Sequence, residues 1–166
     1  MILFDGKKVS EEIINSLKPR VKLLSEKNSK PKLAIFYIGK NEESLIYINM
    51  KMKTCDELNI SYLLHHYDED VSENIILQKI NESNENETIV GILIQLPLPE
   101  HFNTDLLVNT ISYKKDIDGF HSLNAGKLFQ NRNYKLIPCT PRGCIELLDS
   151  YQINVESMNI VIIGCS

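Results

Sequence analysis

The sequence lacks the cysteine and histidine patterns that hold many small folds together. Its four cysteines, Cys55, Cys139, Cys144 and Cys165, form no Cys-x-x-Cys pair, and no histidine lies at the spacing of a zinc module. We therefore interpret them as free thiols in a reducing compartment. A secreted disulfide scaffold and a zinc-binding module are both excluded.

Long apolar runs and blocks of like charge are also missing. No stretch approaches the roughly 18–20 consecutive apolar residues of a membrane span, and the N-terminus lacks the charged-then-apolar pattern of a signal peptide. A net charge of −4 argues against a nucleic-acid binder that relies on a basic surface. We expect a cytoplasmic protein, with an organelle left open, and neither nucleic acid nor a membrane as a partner.

What is present is the composition of an ordinary globular protein. Apolar residues make up 43% and charged residues 24% of 166 residues, which is enough for one domain, or for one domain and the start of another.

Strand-like and helix-like apolar patterns alternate along the chain. Strands are predicted over 32–38, 60–67, 88–95 and 159–163, and helices over 10–28, 41–58, 104–111 and 141–151, with one more through 75–80. Ser10 and Thr140 are predicted N-caps, Asp70 and Glu73 a capping box, and Pro19 a kink or break. Residues 81–87 and 114–126 are predicted loops.

The apolar strands show no polar alternation, which is typical of a parallel sheet covered by helices on both faces. We therefore predict an α/β fold. The last strand runs into Gly164-Cys165-Ser166, as the first phosphate turn of a doubly wound nucleotide domain does. The chain is expected to be the first part of a two-domain protein.

One predicted helix carries the clearest chemical pattern. Ser44, Tyr47, Lys51 and Cys55 are three or four residues apart, so they form one stripe along a helix face. In a cleft, the tyrosine could donate a hydrogen bond while the lysine exchanges a proton, provided that its surroundings favour the neutral amine. From spacing alone, a solvated helix face with an incidental lysine is the more frequent outcome.

Gln95 ends the third predicted strand, at the carboxyl edge where parallel sheets bind ligands. The segment Leu96-Pro97-Leu98-Pro99 then fixes the backbone in an extended form. A neutral amide at this edge could orient a proton of a partner, or it could simply bond its own loop.

The segment Lys115-Asp116-Ile117-Asp118-Gly119 lacks the ligand spacing of a calcium loop. Its two carboxylates suit the binding of a polar heterocycle, although an ordinary surface turn is the alternative. Cys139 could be a nucleophile, but a small buried thiol is commoner. His65 and His66 lie in a predicted strand and fit core or edge positions better than metal binding.

These motifs belong to a longer series. In order it comprises Asp5-Gly6-Lys7, Lys32-Leu33-Ala34-Ile35, Ser44-x-x-Tyr47-x-x-x-Lys51-x-Lys53, Gly91-Ile-Leu-Ile-Gln95-Leu-Pro-Leu-Pro99, Lys115-Asp-Ile-Asp118-Gly119, Asn124-Ala-Gly126-Lys-Leu128, Pro138-Cys-Thr-Pro141-x-Gly143 and Val161-Ile-Ile-Gly164-x-Ser166. The series covers essentially the whole chain, and its order and spacing resemble those of the methylenetetrahydrofolate dehydrogenase/cyclohydrolase family of one-carbon metabolism. The resemblance favours functional roles for Lys51 and Gln95.

The resemblance implies a folate-binding catalytic domain, residues 1–140, and a truncated Rossmann-type NAD(P)-binding domain that begins at 141–166. The implied enzyme oxidises 5,10-methylenetetrahydrofolate with NADP or NAD, then hydrolyses the methenyl product to 10-formyltetrahydrofolate, without a metal. Tetrahydrofolate derivatives are the implied partners and a homodimer the implied assembly. The 166-residue chain alone is expected to fail as a dehydrogenase.

The resemblance also implies residue roles. Lys51 would be the acid–base group of hydrolysis, Gln95 would bond it and bias it towards the neutral amine, Tyr47 would stack on or bond the folate, and Asp118 would hold the pterin's donor edge. Further substrate contacts would come from Ser44, Leu96 and Pro97, and cofactor contacts from Thr140, Gly164, Cys165 and Ser166.

Two departures from the family pattern stand out. Tyr113 occupies the place of a usual proline, and Cys165 that of an arginine which helps many members to hold NADP, so the choice between NADP and NAD stays open. Two other functions also stay open. One is a non-catalytic folate-binding or dimerising remnant, and the other is an unrelated nucleotide-binding module.

Overall fold

This computed structural model describes residues 3–27 and 30–164, in which helices and strands alternate as far as the third strand and three more helices follow it. The strands are β1 (Lys32–Ile38), β2 (Ser61–Tyr67) and β3 (Ile89–Ile94), and the helices are α1 (Gly6–Glu26), α2 (Glu42–Glu57), α3 (Glu73–Glu85), α4 (Thr104–Thr110), α5 (Ser122–Phe129) and α6 (Cys139–Ser150). The α/β fold class predicted from the sequence is confirmed.

The strands form one parallel sheet in the order β2-β1-β3. In the centre of the register, Phe36 of β1 pairs with His65 of β2 and with Ile94 of β3. Beyond β3 the chain returns as a short parallel segment, in which Asp116 pairs with Ile92. All these segments point their carboxyl ends to the same edge of the sheet.

The central strand β1 is buried on both faces. Ala34, Phe36 and Ile38 pack against α3 and α4, on the side that holds Ile76, Ile80 and Leu107. Ile35 and Tyr37 pack on the opposite side, against Ile48 of α2. Because complete burial of an isoleucine or phenylalanine side chain contributes roughly 1.5–3 kcal/mol, both layers stabilise the sheet. The predicted cover of helices on both faces is confirmed.

Helix α1 differs from its prediction at both its start and its middle. It begins at Gly6 because the Asp5 side chain caps it by accepting a hydrogen bond from the Lys8 N–H at 3.0 Å, so Ser10 is not the N-cap. The break predicted at Pro19 is wrong, since the helix continues through it to the buried Val21.

Helix α3 also departs from prediction. Asp70 and Glu73 form no capping box; the helix starts after Ser72, and the Glu73 carboxylate accepts a hydrogen bond from the Asn103 N–H at 2.7 Å. The predicted loop at 81–87 is helical as far as Glu85. Ser83 is buried there, and the Asn84 side chain donates to the Thr110 carbonyl and accepts from the Ser112 N–H, so contacts with a separate segment hold these polar residues in the helix.

The last third of the chain holds three more corrections. Helix α5 begins inside the predicted loop 114–126 and runs on to Phe129; it is capped by the His121 ring, which accepts from the Leu123 N–H. Helix α6 starts at Cys139, so Thr140 lies in its first turn and is not the N-cap. Residues 159–163 form no strand, because no neighbouring strand among the described residues pairs with them, and Ile163 is 96% exposed.

No helix in the described ranges has both the length and the apolar character needed to cross a membrane.

Candidate active site

Helix α2 brings Lys51 of the stripe to the carboxyl edge of the sheet. The helix is anchored at the end of β1, where the Asn41 side chain accepts from the Ser44 N–H at 2.8 Å and the Tyr37 hydroxyl donates to the Asn41 carbonyl at 2.9 Å. Ser44 is buried, Tyr47 is 59% exposed, and Lys51 is partly buried one turn further along. The anchoring therefore directs Lys51 towards the ends of the strands.

Gln95 meets Lys51 at that edge. The Lys51 Nζ donates to Gln95 Oε1 at 3.1 Å, and the Gln95 Nε2 donates to the carbonyl of Leu96 at 2.8 Å. The Gln95 backbone N–H is itself held by the Phe36 carbonyl. Because Gln95 offers Lys51 an acceptor oxygen, the bond suits an ammonium donor. It gives no support to the expected bias of Lys51 towards the neutral amine.

Asp118 is the third member of the cluster. Burial raises the pKa of its carboxyl above the ordinary value, and the positive charge of Lys51 acts in the opposite direction. The Cys139 thiol donates to Asp118 Oδ1 at 3.7 Å. The described structure thus gathers Lys51, Gln95 and Asp118, which come from three separate segments, around one edge.

Cys139 is poorly suited to be a nucleophile. Partial burial and the neighbouring Asp118 carboxylate raise the pKa of its thiol, so the thiolate is disfavoured. The arrangement supports a thiol that donates to Asp118.

Asp116 and Asp118 have different roles, and the sequence pattern did not show this difference. It is only 3% exposed, and its two oxygens accept from the backbone N–H groups of Gly119, Phe120 and His121 and from the Asn124 side chain, at 3.0, 3.3, 3.0 and 2.8 Å. These bonds hold the turn that follows Asp118. Asp116 is therefore a structural carboxylate, and Asp118 remains available for a ligand.

Lys115 is a residue whose importance the sequence analysis missed. Its ammonium donates to three carbonyl oxygens at the C-terminal end of α3, those of Ser83, Asn84 and Asn86, at 3.1, 2.7 and 2.8 Å. A cation is well placed there because it meets the negative end of the helix dipole. Lys115 thereby ties the segment that carries Asp118 to α3.

The remaining predicted site residues are Leu96, Pro97, Thr140, Gly164, Cys165 and Ser166. Leu96 and Pro97 follow Gln95, and the peptide bond between Leu96 and Pro97 is cis. Thr140 is exposed on α6, Gly164 is exposed with φ of +119°, and Cys165 and Ser166 lie outside the described residues. The structure does not bring Thr140 or Gly164 to the Lys51 cluster.

Both strand histidines take structural positions. His65 stacks on Phe36 with ring centroids 4.6 Å apart, and a ring nitrogen of His66 lies 3.1 Å from the carbonyl oxygen of Gly39. Within residues 3–27 and 30–164, no group of three or more His, Cys, Asp or Glu side chains is arranged to hold a metal ion.

Comparison with known proteins places this chain in a family. Residues 4–118 match the model of the catalytic domain of tetrahydrofolate dehydrogenase/cyclohydrolase. The bifunctional protein FolD of Campylobacter jejuni is 40% identical over 166 residues, which are 100% of this chain and 59% of that relative. FolD of Sulfurihydrogenibium sp. is 39% identical over 167 residues, again 100% of this chain and 59% of the relative. The chain therefore spans less than two thirds of the curated relatives it matches.

Solved structures agree with the sequence matches. The crystal structure of the Campylobacter jejuni FolD dehydrogenase/cyclohydrolase superposes with a TM-score of 0.90 at 39% identity, over 93% of this chain and 55% of that one. The Trypanosoma brucei enzyme, crystallised with NADP and an inhibitor, superposes with a TM-score of 0.87 at 27% identity, over 93% of this chain and 53% of that one.

Proposed function

The chain belongs to the tetrahydrofolate dehydrogenase/cyclohydrolase family, and on that premise we propose that it forms the folate-binding catalytic part of such an enzyme. The observation that carries the proposal is the 3.1 Å hydrogen bond between Lys51 and Gln95 beside the half-buried Asp118. All three residues lie within the matched range 4–118. Membership of the family removes the alternative of an unrelated nucleotide-binding module.

The proposed whole-protein activity has two steps at one site. The first is NAD(P)-dependent oxidation of 5,10-methylenetetrahydrofolate to 5,10-methenyltetrahydrofolate, and the second is hydrolysis to 10-formyltetrahydrofolate. The proposed assembly is a homodimer and the proposed compartment is the cytoplasm, as the resemblance implies.

Asp118 is the proposed anchor for the folate. A pterin presents adjacent N–H donors on one edge, and a carboxylate with two free acceptor lone pairs can take both in a bidentate pair. Cys139 donates to Asp118 Oδ1 and leaves lone pairs on both oxygens for that contact. Tyr47, exposed one turn before Lys51, supplies the ring that stacks on or bonds the ligand.

Lys51 is the proposed acid–base residue of hydrolysis. Opening of the methenyl ring needs a proton on a ring nitrogen and an activated water, and a lysine that alternates between ammonium and amine can serve both needs. Gln95 holds Nζ in position, while its own amide N–H is fixed by Leu96. Ser44, Leu96 and Pro97 are the proposed flanking substrate contacts.

NADP or NAD, when bound, accepts the hydride in the oxidation step. Gly164 has a φ of +119°, a backbone conformation that favours glycine, and glycine is the residue that the first phosphate turn of a doubly wound nucleotide domain uses. Thr140, Gly164, Cys165 and Ser166 are the proposed cofactor contacts from this chain, and the choice between NADP and NAD is left to experiment.

Two assays test the proposal. The full-length protein and this chain receive 5,10-methylenetetrahydrofolate with NADP or, separately, NAD, and reduced nicotinamide is followed; hydrolysis of 5,10-methenyltetrahydrofolate is followed in parallel. We expect both activities from the full-length protein, and from this chain folate binding with weak hydrolysis and no hydride transfer. Folate binding without either activity in the full-length protein would favour the non-catalytic remnant. No folate binding by either protein would refute the proposal.

A further inference from the structure

Gly91 in β3 is covered by the side chain of Ile117. A Cβ added at Gly91 would lie 2.5 Å from Ile117 Cγ2 and 2.8 Å from Leu33 Cδ2, closer than real Cβ atoms approach other groups. The bare Cα of Gly91 is therefore the surface on which the β-branch of Ile117 sits.

Backbone hydrogen bonds alone specify only weakly how the 115–117 segment pairs with β3. The 115–117 segment is joined to β3 by two hydrogen bonds, from the Ile92 N–H to the Lys115 carbonyl at 2.7 Å and from the Ile117 N–H to the Ile92 carbonyl at 3.4 Å. Such a short ladder can slip, and a slip of one residue turns every side chain to the opposite face. A side chain fitted over a glycine opposes that slip.

Asp118 follows Ile117 directly, so the register of the segment decides where its carboxylate lies relative to Lys51. We infer that Gly91 and Ile117 are positioning residues, whose contact acts together with the Lys115 bonds to α3 to fix the register of the 115–117 segment and thereby to place Asp118 for ligand binding. The inference rests on the proposed function, because the ligand whose affinity reports it is a folate.

A larger residue at Gly91 cannot be absorbed by side-chain motion alone. Leu33 Cδ2 is the far end of a flexible side chain and can move aside. Ile117 Cγ2 is attached directly to Cβ, and a β-branched residue is stiff about χ1. Replacing Gly91 by alanine should therefore shift the 115–117 backbone and carry Asp118 with it.

The test is a double-mutant cycle that measures tetrahydrofolate affinity by calorimetry, with Gly91→Ala, Ile117→Leu and the double variant. Leucine keeps the volume of isoleucine but has no branch at Cβ, so it can leave room for the new methyl group. We expect Gly91→Ala to weaken binding at least about 10-fold, as loss of a charged hydrogen bond does. The double variant should bind within about threefold of wild type, because interacting sites are not additive.

Two further variants separate positioning from general damage. Gly126→Ala is the matched control, since nothing lies within 4 Å of its added Cβ, and its affinity should not change. In an Asp118→Asn background, Gly91→Ala should lower affinity less than about twofold further, because its effect acts through Asp118.

The same cycle is repeated with urea unfolding as the measurement, and far-ultraviolet circular dichroism monitors the unfolding. Gly91→Ala should destabilise the protein and Ile117→Leu should recover much of the loss; if Gly91→Ala does not fold, Ile117→Leu must restore folding. Wild-type affinity in a folded Gly91→Ala variant, or no recovery in the double variant, would overturn the inference. If wild type binds no folate, the proposed function fails, and the unfolding cycle still tests the coupling between positions 91 and 117, whose absence would overturn the inference.

Discussion

Lys51 Nζ and Gln95 Oε1 lie 3.1 Å apart, although 44 positions separate the two residues in the chain. The bond joins helix α2 to the end of β3 at the carboxyl edge of the sheet. Gln95 cannot turn freely, because its amide nitrogen is engaged with Leu96. The lysine therefore meets a fixed acceptor, and its reach towards a ligand is set by the sheet.

Lys51→Met should abolish cyclohydrolase activity in the full-length protein, with a loss of at least about 100-fold, because one acid–base group is removed. Folate binding should persist, since Asp118 is untouched. Hydrolysis of methenyltetrahydrofolate and folate affinity are measured on the same preparation. Lys53→Met, an exposed position on the same helix, is the control and should hydrolyse normally. Near wild-type hydrolysis by Lys51→Met would remove Lys51 from the mechanism.

Asp118→Asn should weaken folate affinity about 10- to 100-fold, because the amide presents a donor to the donor edge of the pterin and leaves a buried polar group unpaired. Titration calorimetry at neutral pH measures the change. Asp118→Glu keeps the charge and should retain more affinity than the amide. Equal affinities for wild type and Asp118→Asn would make the carboxylate a simple loop residue.

The same carboxylate gives a pH-dependent prediction for stability. Burial raises the pKa of Asp118, so the folded protein binds this proton more tightly than the unfolded chain does. The stability linked to Asp118 is then present below the unfolded pKa and is lost as pH rises through the raised folded value. At neutral pH, Asp118→Asn should be at least as resistant to urea as wild type. A clear loss of stability there would mean that the charge is well compensated when folded.

His65 should make stability fall in mild acid. Burial lowers the pKa of its ring, and its Nε2 is buried without a hydrogen-bond partner, so the unfolded chain takes up the proton more readily. The stability that His65 contributes is present above about pH 6.5, the ordinary value for histidine, and is lost as pH falls through the lowered folded value. Urea unfolding between pH 7 and pH 5 measures the slope.

The matched variants for this measurement are His65→Phe and His101→Gln. Phenylalanine keeps a ring to stack on Phe36 and does not titrate, so the slope in acid should decrease. His101 is exposed, and its replacement should leave the slope as in wild type. An unchanged slope in His65→Phe would assign the pH dependence to other groups.

Lys115→Met should destabilise the protein by about 1.5–3 kcal/mol, the range for hydrogen bonds to a charged group. The change removes the donor to three carbonyl oxygens at the end of α3. Lys114→Met, at the exposed neighbouring position, should change stability by less than about 0.5 kcal/mol. Chemical unfolding of both variants checks the difference, and equal stabilities would show that the three bonds contribute little.

The strands near the site were predictable because their signal is local. The apolar run from Lys32 to Ile38 has no polar alternation, and the strand it forms is buried on both faces. Helix α5 was not predictable in the same way. Its segment is rich in residues typical of loops, and the buried Asn124 is held there by the Asp116 carboxylate, a contact between different segments.

The site residues likewise include some that the sequence predicted and some that it did not. Lys51, Gln95 and Asp118 were found through motifs whose order resembles a family, and the fold brings them together. Thr140 was misplaced because a capping rule that considers only neighbouring residues cannot foresee a helix that starts at Cys139, two residues before the predicted start. The roles of Lys115 and Gly91 depend on contacts with α3 and Ile117, and neither contact leaves a pattern in the nearby sequence.

The fit of Ile117 over Gly91 also constrains the order in which these positions can change during evolution. A methyl group at position 91 clashes with the branch of Ile117, whereas loss of that branch removes a contact but creates no clash at Gly91. A descendant could therefore acquire alanine at 91 only after 117 had become unbranched. Once alanine is present at 91, a return of isoleucine at 117 would recreate the clash, so the exchange would be hard to reverse.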